Sequence, residues 1–235
     1  MGGTPRHAAA AMQRASGRCH PGRRWGTDGI GHLHDEWVRC FEMSAKTLTD
    51  AELAEGDLWV FGYGSLMWNP GFAVTERVPA RLIGEHRALC VYSFVHRGTP
   101  EQPGLVLGLD RGGACRGIAF RVPDRHRVET VAYLREREQV TSVYREVKRS
   151  VWLDDDARRR VSALVYVVDR GHDQYAGRLT MAEQIRLVRQ GHGRSGPNRD
   201  YVLSTVQALE AQGCRDAQLH QIALALQGDA PPAHR

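Results

Sequence analysis

The chain has 235 residues, 42% of them hydrophobic and 25% charged, with a formal net charge of +5. This is the composition of a globular protein with one sizeable core. No window approaches the roughly 18 uninterrupted apolar residues of a membrane helix, so a membrane role is excluded. Nucleic-acid binding is excluded as well, because part of the positive excess is local, with six arginines against four acids in residues 1–42, and no later basic run is interleaved with aromatics.

Cys19, Cys40, Cys90, Cys115 and Cys214 are odd in number and scattered, without a C-x-x-C pair, so neither a disulfide framework nor a zinc site is expected. Free thiols imply a reducing compartment, and the chain reads as cytoplasmic. The histidines lack H-E-x-x-H or related spacing, and no metal is expected.

In chain order, residues 1–42 mix Gly, Ala, Arg and His without apolar periodicity. They read as a disordered N-terminal extension, or as the product of a start assigned upstream of Met43. The folded domain is expected over 58–226, with 227–235 a flexible tail. Trp59, Val60 and Phe61 form a short apolar run, the pattern of a buried strand. Gly62, Tyr63, Gly64, Ser65 and Leu66 follow, and their glycines permit close approaches that a Cβ would block. The stretch either presents bare backbone to a ligand or packs as a tight strand-to-helix turn.

Residues 80–94 offer two strand-like segments about Gly84. A Pro- and Gly-containing loop runs from His96 to Gly104. Residues 105–109 and 117–122 read as two more strands, joined by a turn at Asp110, Arg111, Gly112 and Gly113. From Arg125 the period turns helical, with Val128, Val131, Ala132 and Leu134 as the inward stripe. Glu138, seven residues after Val131 and four after Leu134, continues that stripe. A carboxylate facing inward is costly unless it is paired or employed, and burial would raise its pKa toward that of a useful general base. Glu138 is either such a base or a helix-end glutamate bonded to neighbouring amides or to Arg137.

Residues 144–152 and 161–168 form a predicted hairpin across Asp154, Asp155 and Asp156. Thr180 and Glu183 make a capping box for a helix that stops at Gly191. The glycine-rich stretch from Gly191 leads into another helix, with Asn198 as its expected N-cap, but it lacks the spacing of a phosphate loop. A last helix is expected over 216–226, with Leu219, Ile222, Ala223 and Leu226 as its stripe. No protein nucleophile emerges: Ser65 is not in a G-x-S-x-G elbow, and Cys90 and Cys115 lie in apolar strands.

Taken together and in order, residues 60–66, His96-Arg97-Gly98-Thr99-Pro100, the 133–138 helix end and Asn198-Arg199-Asp200-Tyr201 resemble the ChaC family of glutathione-specific γ-glutamylcyclotransferases. The likeness covers about 58–226, and Gln139-Val140-Thr141-Ser142-Val143-Tyr144 is similar to the bacterial branch. It implies a mixed α/β fold with a small barrel-like sheet flanked by helices. It also implies cofactor-free cleavage of glutathione to 5-oxoproline and cysteinylglycine. By the same resemblance Glu138 is the catalytic base, and Val60, Phe61, Gly62, Tyr63, Gly64, Ser65, Leu66, Arg97, Tyr144, Arg199 and Tyr201 form the substrate-binding set. For Arg97, Arg199 and Tyr201 a structural role in a loop or cap stands beside contact with the substrate. Cyclisation of other γ-glutamyl compounds and non-catalytic regulation of cation transport are the alternatives.

Overall fold

The computed structural model describes residues 48–49, 53, 56–138 and 142–228. The expectations for residues 1–42, for Gln139-Val140-Thr141 and for 229–235 lie outside the described residues.

Strand β1 (Leu58–Gly62) is buried along its whole length. Trp59 and Phe61 enter one apolar cluster while Leu58 and Val60 enter another. A strand covered on both faces reads as a continuous apolar run, which is why it stands out in the sequence.

Strands β2 (Glu76–Ser93) and β3 (Gly104–Val122) form a long antiparallel ribbon. Here two expectations are corrected, because each of the two presumed strand pairs is a single strand. The stretch at Asp110–Gly113 does not reverse the chain: Glu85 pairs with Arg111 and Ile83 with Ala114, with a register shift between them. Gly84, Gly112 and Gly113 take φ of +100°, +103° and +69°, so the glycines build a bulge that bends paired strands. A turn and a bulge require the same left-handed backbone, and composition alone cannot separate them.

Strands β4 (Tyr144–Leu153) and β5 (Arg160–Val168) pair as the expected hairpin. β4 also pairs with β2, and β5 runs parallel to β1, closing a barrel in the order β1-β3-β2-β4-β5.

Helix α1 (Arg127–Glu138) buries Thr130, Val131 and Leu134. Val128 is 82% exposed and Ala132 is exposed too, a second correction. At about 100° per residue, both fall well to one side of a strip centred between Leu134 and Glu138. Glu138 itself stays on the inward strip. Helices α2 (Met181–Gln190), α3 (Asn198–Ala211) and α4 (Ala217–Gln227) share the larger cluster through Val188, Val202, Leu209, Leu219, Ile222 and Leu226. The capping box of Thr180 and Glu183 opens α2 as expected. Gln227 still belongs to α4, so an ordered helix enters the stretch expected to be tail. Among the described residues, no helix is long and apolar enough to cross a membrane.

Asn198 does not cap α3; Pro197 occupies that position without a side-chain bond. The Asn198 side chain is instead fully buried, accepting at Oδ1 from Leu105 N at 2.7 Å and donating from Nδ2 to Leu105 O at 2.7 Å. β1 pairs with β3 only over residues 118–122, which leaves the Leu105 and Leu107 edge of β3 without a strand partner on that side. A buried backbone edge must be satisfied, and the Asn198 amide substitutes for the missing strand.

Candidate active site

The same open edge organises the site. Leu107 N donates to Tyr201 Oη at 3.1 Å, and Leu107 O accepts from Tyr144 Oη at 2.6 Å. One residue of β3 thereby fixes a tyrosine from α3 and a tyrosine from β4. Tyr63, which follows β1, adds a third buried ring.

The loop after β1 is held from beneath by Arg87. This guanidinium, 3% exposed, donates from Nε to Tyr63 O at 2.6 Å and from Nη2 to Arg116 O at 2.7 Å, and it pairs with Asp216 at 3.3 Å. Sequence reasoning missed it, since an arginine inside a strand-like apolar segment carries no local signal of what it will meet.

The two glycines of the loop differ. A Cβ on Gly62 would stand 3.0 Å from Leu66 Cβ and 3.2 Å from Phe120, so Gly62 permits close packing. A Cβ on Gly64 would meet only Leu107 Cδ1, at 3.7 Å, in ordinary contact. Close packing therefore accounts for Gly62 but not for Gly64. The chain then enters a short 3-10 helix, Ser65–Met67, and Met67 N donates to Gly64 O at 2.9 Å. Among the described residues, the N–H groups of Gly64, Ser65 and Leu66 have no backbone acceptor, as is usual where a helix begins.

Glu138 closes the site from the end of α1. Its side chain is 18% exposed, and its ion-pair partner is Arg137 Nε at 3.3 Å. Burial pushes its pKa above the usual carboxylate range, and the Arg137 charge opposes the shift. The Tyr63, Tyr144 and Tyr201 hydroxyls are all raised, chiefly by burial, and each feels the Glu138 charge as well. Arg137 links the carboxylate to the loop: it donates from Nη2 to Ser65 Oγ at 2.9 Å and from Nη1 to Asn69 O at 2.7 Å and Tyr133 Oη at 2.8 Å. Glu138 is thus paired with Arg137, as one sequence alternative expects, and is largely desolvated as well.

The other sequence-selected residues separate into groups. Gly62, Tyr63, Gly64, Ser65, Tyr144 and Tyr201 gather with Glu138 as described. The Val60, Phe61 and Leu66 side chains are buried in the apolar clusters, 0%, 1% and 5% exposed, and they support the loop from the core. Arg97 lies with its guanidinium 5.4 Å from the Tyr201 ring centroid and donates to Ser195 O and Pro197 O. It ties the 94–103 loop to the glycine-rich stretch behind Tyr201. Arg199 is not brought to Glu138, because its Nε donates to Leu226 O at 3.3 Å near the end of α4 and its Nη1 lies 3.8 Å from Asp200. Two residues are about 200° apart on a helix, so Arg199 and Tyr201 cannot share a face.

Cys90 and Cys115 do not compete for a nucleophile's role. Cys90 and Cys115 are buried, and burial pushes their thiols up to about 12 and about 11, where the reactive thiolate is scarce.

Comparison with known proteins gives concordant results. The profile of the ChaC-like protein family matches residues 58–227. A protein of Escherichia coli K12 named glutathione-specific gamma-glutamylcyclotransferase is 35% identical over 197 residues, spanning 82% of this chain and 84% of that one. A protein of the same name from Schizosaccharomyces pombe is 29% identical over 183 residues, 71% of this chain and 89% of its own. The crystal structure of a yeast γ-glutamyl cyclotransferase specific to glutathione superposes with a TM-score of 0.65 at 24% identity, covering 77% of this chain and 100% of that one. That superposition speaks for the fold, a closed barrel flanked by helices.

Proposed function

This chain belongs to the ChaC family, and on that premise we propose that it degrades glutathione to 5-oxoproline and cysteinylglycine, with Glu138 as the general base. The observation that carries the reading is Glu138 itself: a largely buried carboxylate with one ion-pair partner among the described residues, felt by three buried tyrosines and linked through Arg137 to the glycine loop.

The reaction needs no protein nucleophile. Glutathione's own α-ammonium gives a proton to Glu138, and the freed amine attacks the γ-amide carbonyl carbon within the same molecule. A new C–N bond closes the five-membered ring, and the carbonyl π electrons move onto oxygen. Free N–H groups at Gly64, Ser65 and Leu66 are the donors we assign to that oxyanion, since fixed dipoles aimed at developing charge lower the barrier without reorganisation. Collapse of the intermediate breaks the old C–N bond: the departing cysteinylglycine nitrogen takes the proton back from Glu138, and the surplus proton of the new ring nitrogen follows through the same carboxylate, leaving a neutral lactam and a cysteinylglycine ammonium. The reaction is already intramolecular, so the enzyme's further contribution is to hold amine and carbonyl in attack geometry. The Tyr63, Tyr144 and Tyr201 rings, fixed through Arg87 and Leu107, supply rigid walls. Buried free thiols fit a reducing cytoplasm.

The test is to incubate purified protein with glutathione and follow 5-oxoproline and cysteinylglycine by mass spectrometry. Equimolar appearance of both supports the reading. Consumption of γ-glutamylalanine without turnover of glutathione would move the substrate to other γ-glutamyl compounds. Failure with both would remove the catalytic reading.

A further inference from the structure

A second concavity, of about 670 Å³, opens on the barrel between β2, β3, the β4–β5 turn and the turn between α3 and α4. Its lining shares no residue with the cluster around Glu138. Three arginines border it, Arg81, Arg116 and Arg158, against a single acid, Asp154. Arg81 and Arg116 stand directly opposite each other across the β2–β3 pair, and Trp152 stands opposite Arg81 on β4.

Like charges facing each other across a sheet cost stability. Several other arginines on or beside this barrel are neutralised, Arg121 and Arg159 by Glu76, Arg149 by Glu85 and Arg170 by Asp110, though Arg111, Arg145 and Arg160 show no ion pair among the described residues. None of the Arg81, Arg116 and Arg158 guanidiniums makes a hydrogen bond or ion pair among the described residues. Arg158 is also held at φ +46°, a conformation unfavourable for a residue with a Cβ. Apolar surface adjoins the charge, with Ile83 60% and Trp152 44% exposed at the rim and Ile118 buried beneath.

We propose that this groove binds a phosphorylated small molecule, its phosphate bridging Arg81 and Arg116 and its body lying against Ile83 and Trp152. The charge and geometry select the ligand. Side chains directly opposite on paired strands start about 5 Å apart, so two guanidinium forks can close on one tetrahedral dianion, each with two hydrogen bonds. A lone carboxylate would neutralise only one of them. The volume falls within the range of small-molecule sites; the Arg160 guanidinium lies over the Trp152 ring at 5.6 Å, so the half-exposed indole offers the ligand its edge and its remaining face. Two sources share this chemistry, a nucleotide and an inorganic polyphosphate.

The test is calorimetric titration of the full chain with ATP and, separately, with pyrophosphate, repeated on Arg81→Gln and Arg116→Gln. Saturable binding of ATP, weakened at least tenfold in either variant, is the expected result. Pyrophosphate binding at least tenfold weaker than ATP assigns the ligand to nucleotides; equal binding assigns it to inorganic polyphosphates, and both uphold the phosphate site. A second readout separates a ligand site from an incidental charged surface. Without ligand, each variant melts at or above the wild-type temperature because the repulsion is gone, and with ATP the order reverses. No saturable binding of either probe, or binding that both variants leave within twofold of wild type, overturns the proposal.

Discussion

Two glutamates eight residues apart meet opposite fates on this barrel. The Glu146 side chain is fully buried and saturated with donors: Arg135 Nε at 3.1 Å and Nη2 at 3.0 Å, Leu48 N at 3.0 Å and Tyr166 Oη at 3.0 Å. Glu138, 18% exposed, is largely withdrawn from water but holds a single ion pair among the described residues, at 3.3 Å. A carboxylate has about four acceptor positions. At Glu146 the protein fills them, making the group a structural hub that joins α1, β4, β5 and the segment at Leu48. At Glu138 the only partner among the described residues is Arg137, which leaves most of them unfilled by the protein. On the proposed reading, what separates a base from a brace is the unspent acceptor capacity, more than burial.

Matched substitutions break this comparison most sharply. Glu138→Gln is expected to lower kcat with glutathione about a thousandfold, within the usual range for a general base. Its melting temperature at pH 7 should equal or exceed that of the wild type. The sign follows from linkage: a glutamate whose folded pKa is raised disfavours the fold once pH exceeds the unfolded pKa, and glutamine removes that penalty. The gain should shrink toward pH 4, checked by thermal melts at both pH values. Glu146→Gln should do the converse, costing about 3–5 kcal/mol by breaking a buried ion pair. At about 2–4 °C per kcal/mol for a domain this size, the melting point falls by roughly 10 °C, while kcat of the folded enzyme stays within about threefold.

Gly64→Ala comes next. The new methyl meets only ordinary contact in the free protein, so the fold should survive. On the proposed reading the methyl stands where the loop backbone meets the substrate, so kcat/KM is expected to fall about 10- to 100-fold, since small misplacement in attack geometry is costly. Arg137→Met should give a smaller loss with a diagnostic pH signature. The groups whose fields meet the Glu138 charge are Arg137 and the hydroxyls of Tyr63, Tyr144, Tyr166 and Tyr201, and only Arg137 brings a charge at neutral pH. Removing it raises the Glu138 pKa further, so the acid limb of the kcat/KM profile moves to higher pH and activity at pH 6 suffers more than at pH 8. The smallest effect belongs to Ser65→Ala, which deletes one hydrogen bond to Arg137 and should cost under about tenfold. Steady-state assays of these three variants order the effects directly.

Much of the site was legible in the sequence because its signals are local. The apolar run of β1 and the spacing from Leu134 to Glu138 follow from strand and helix periods alone, and each was found where expected. The elements that failed depend on partners distant in the chain. Gly112 and Gly113 bulge because β2 lies alongside them, and Asn198 is drawn from its capping position by the unpaired edge at Leu105, 93 residues away. Arg199 was selected for its chemistry, yet helix phase turns it to Leu226. Arg87 gave no signal, since its value lies in reaching Tyr63 O, 24 residues earlier in the chain.

The most direct measurement is the pH dependence of kcat/KM for glutathione in the wild type and in Glu138→Gln, since this ratio reports ionisations of the free enzyme. A base raised by burial predicts an acid limb above the ordinary glutamate value of about 4.3, and a residual activity in the variant that lacks this limb. A wild-type limb at or below the ordinary value, or one that persists unchanged in Glu138→Gln, would contradict the assignment of Glu138.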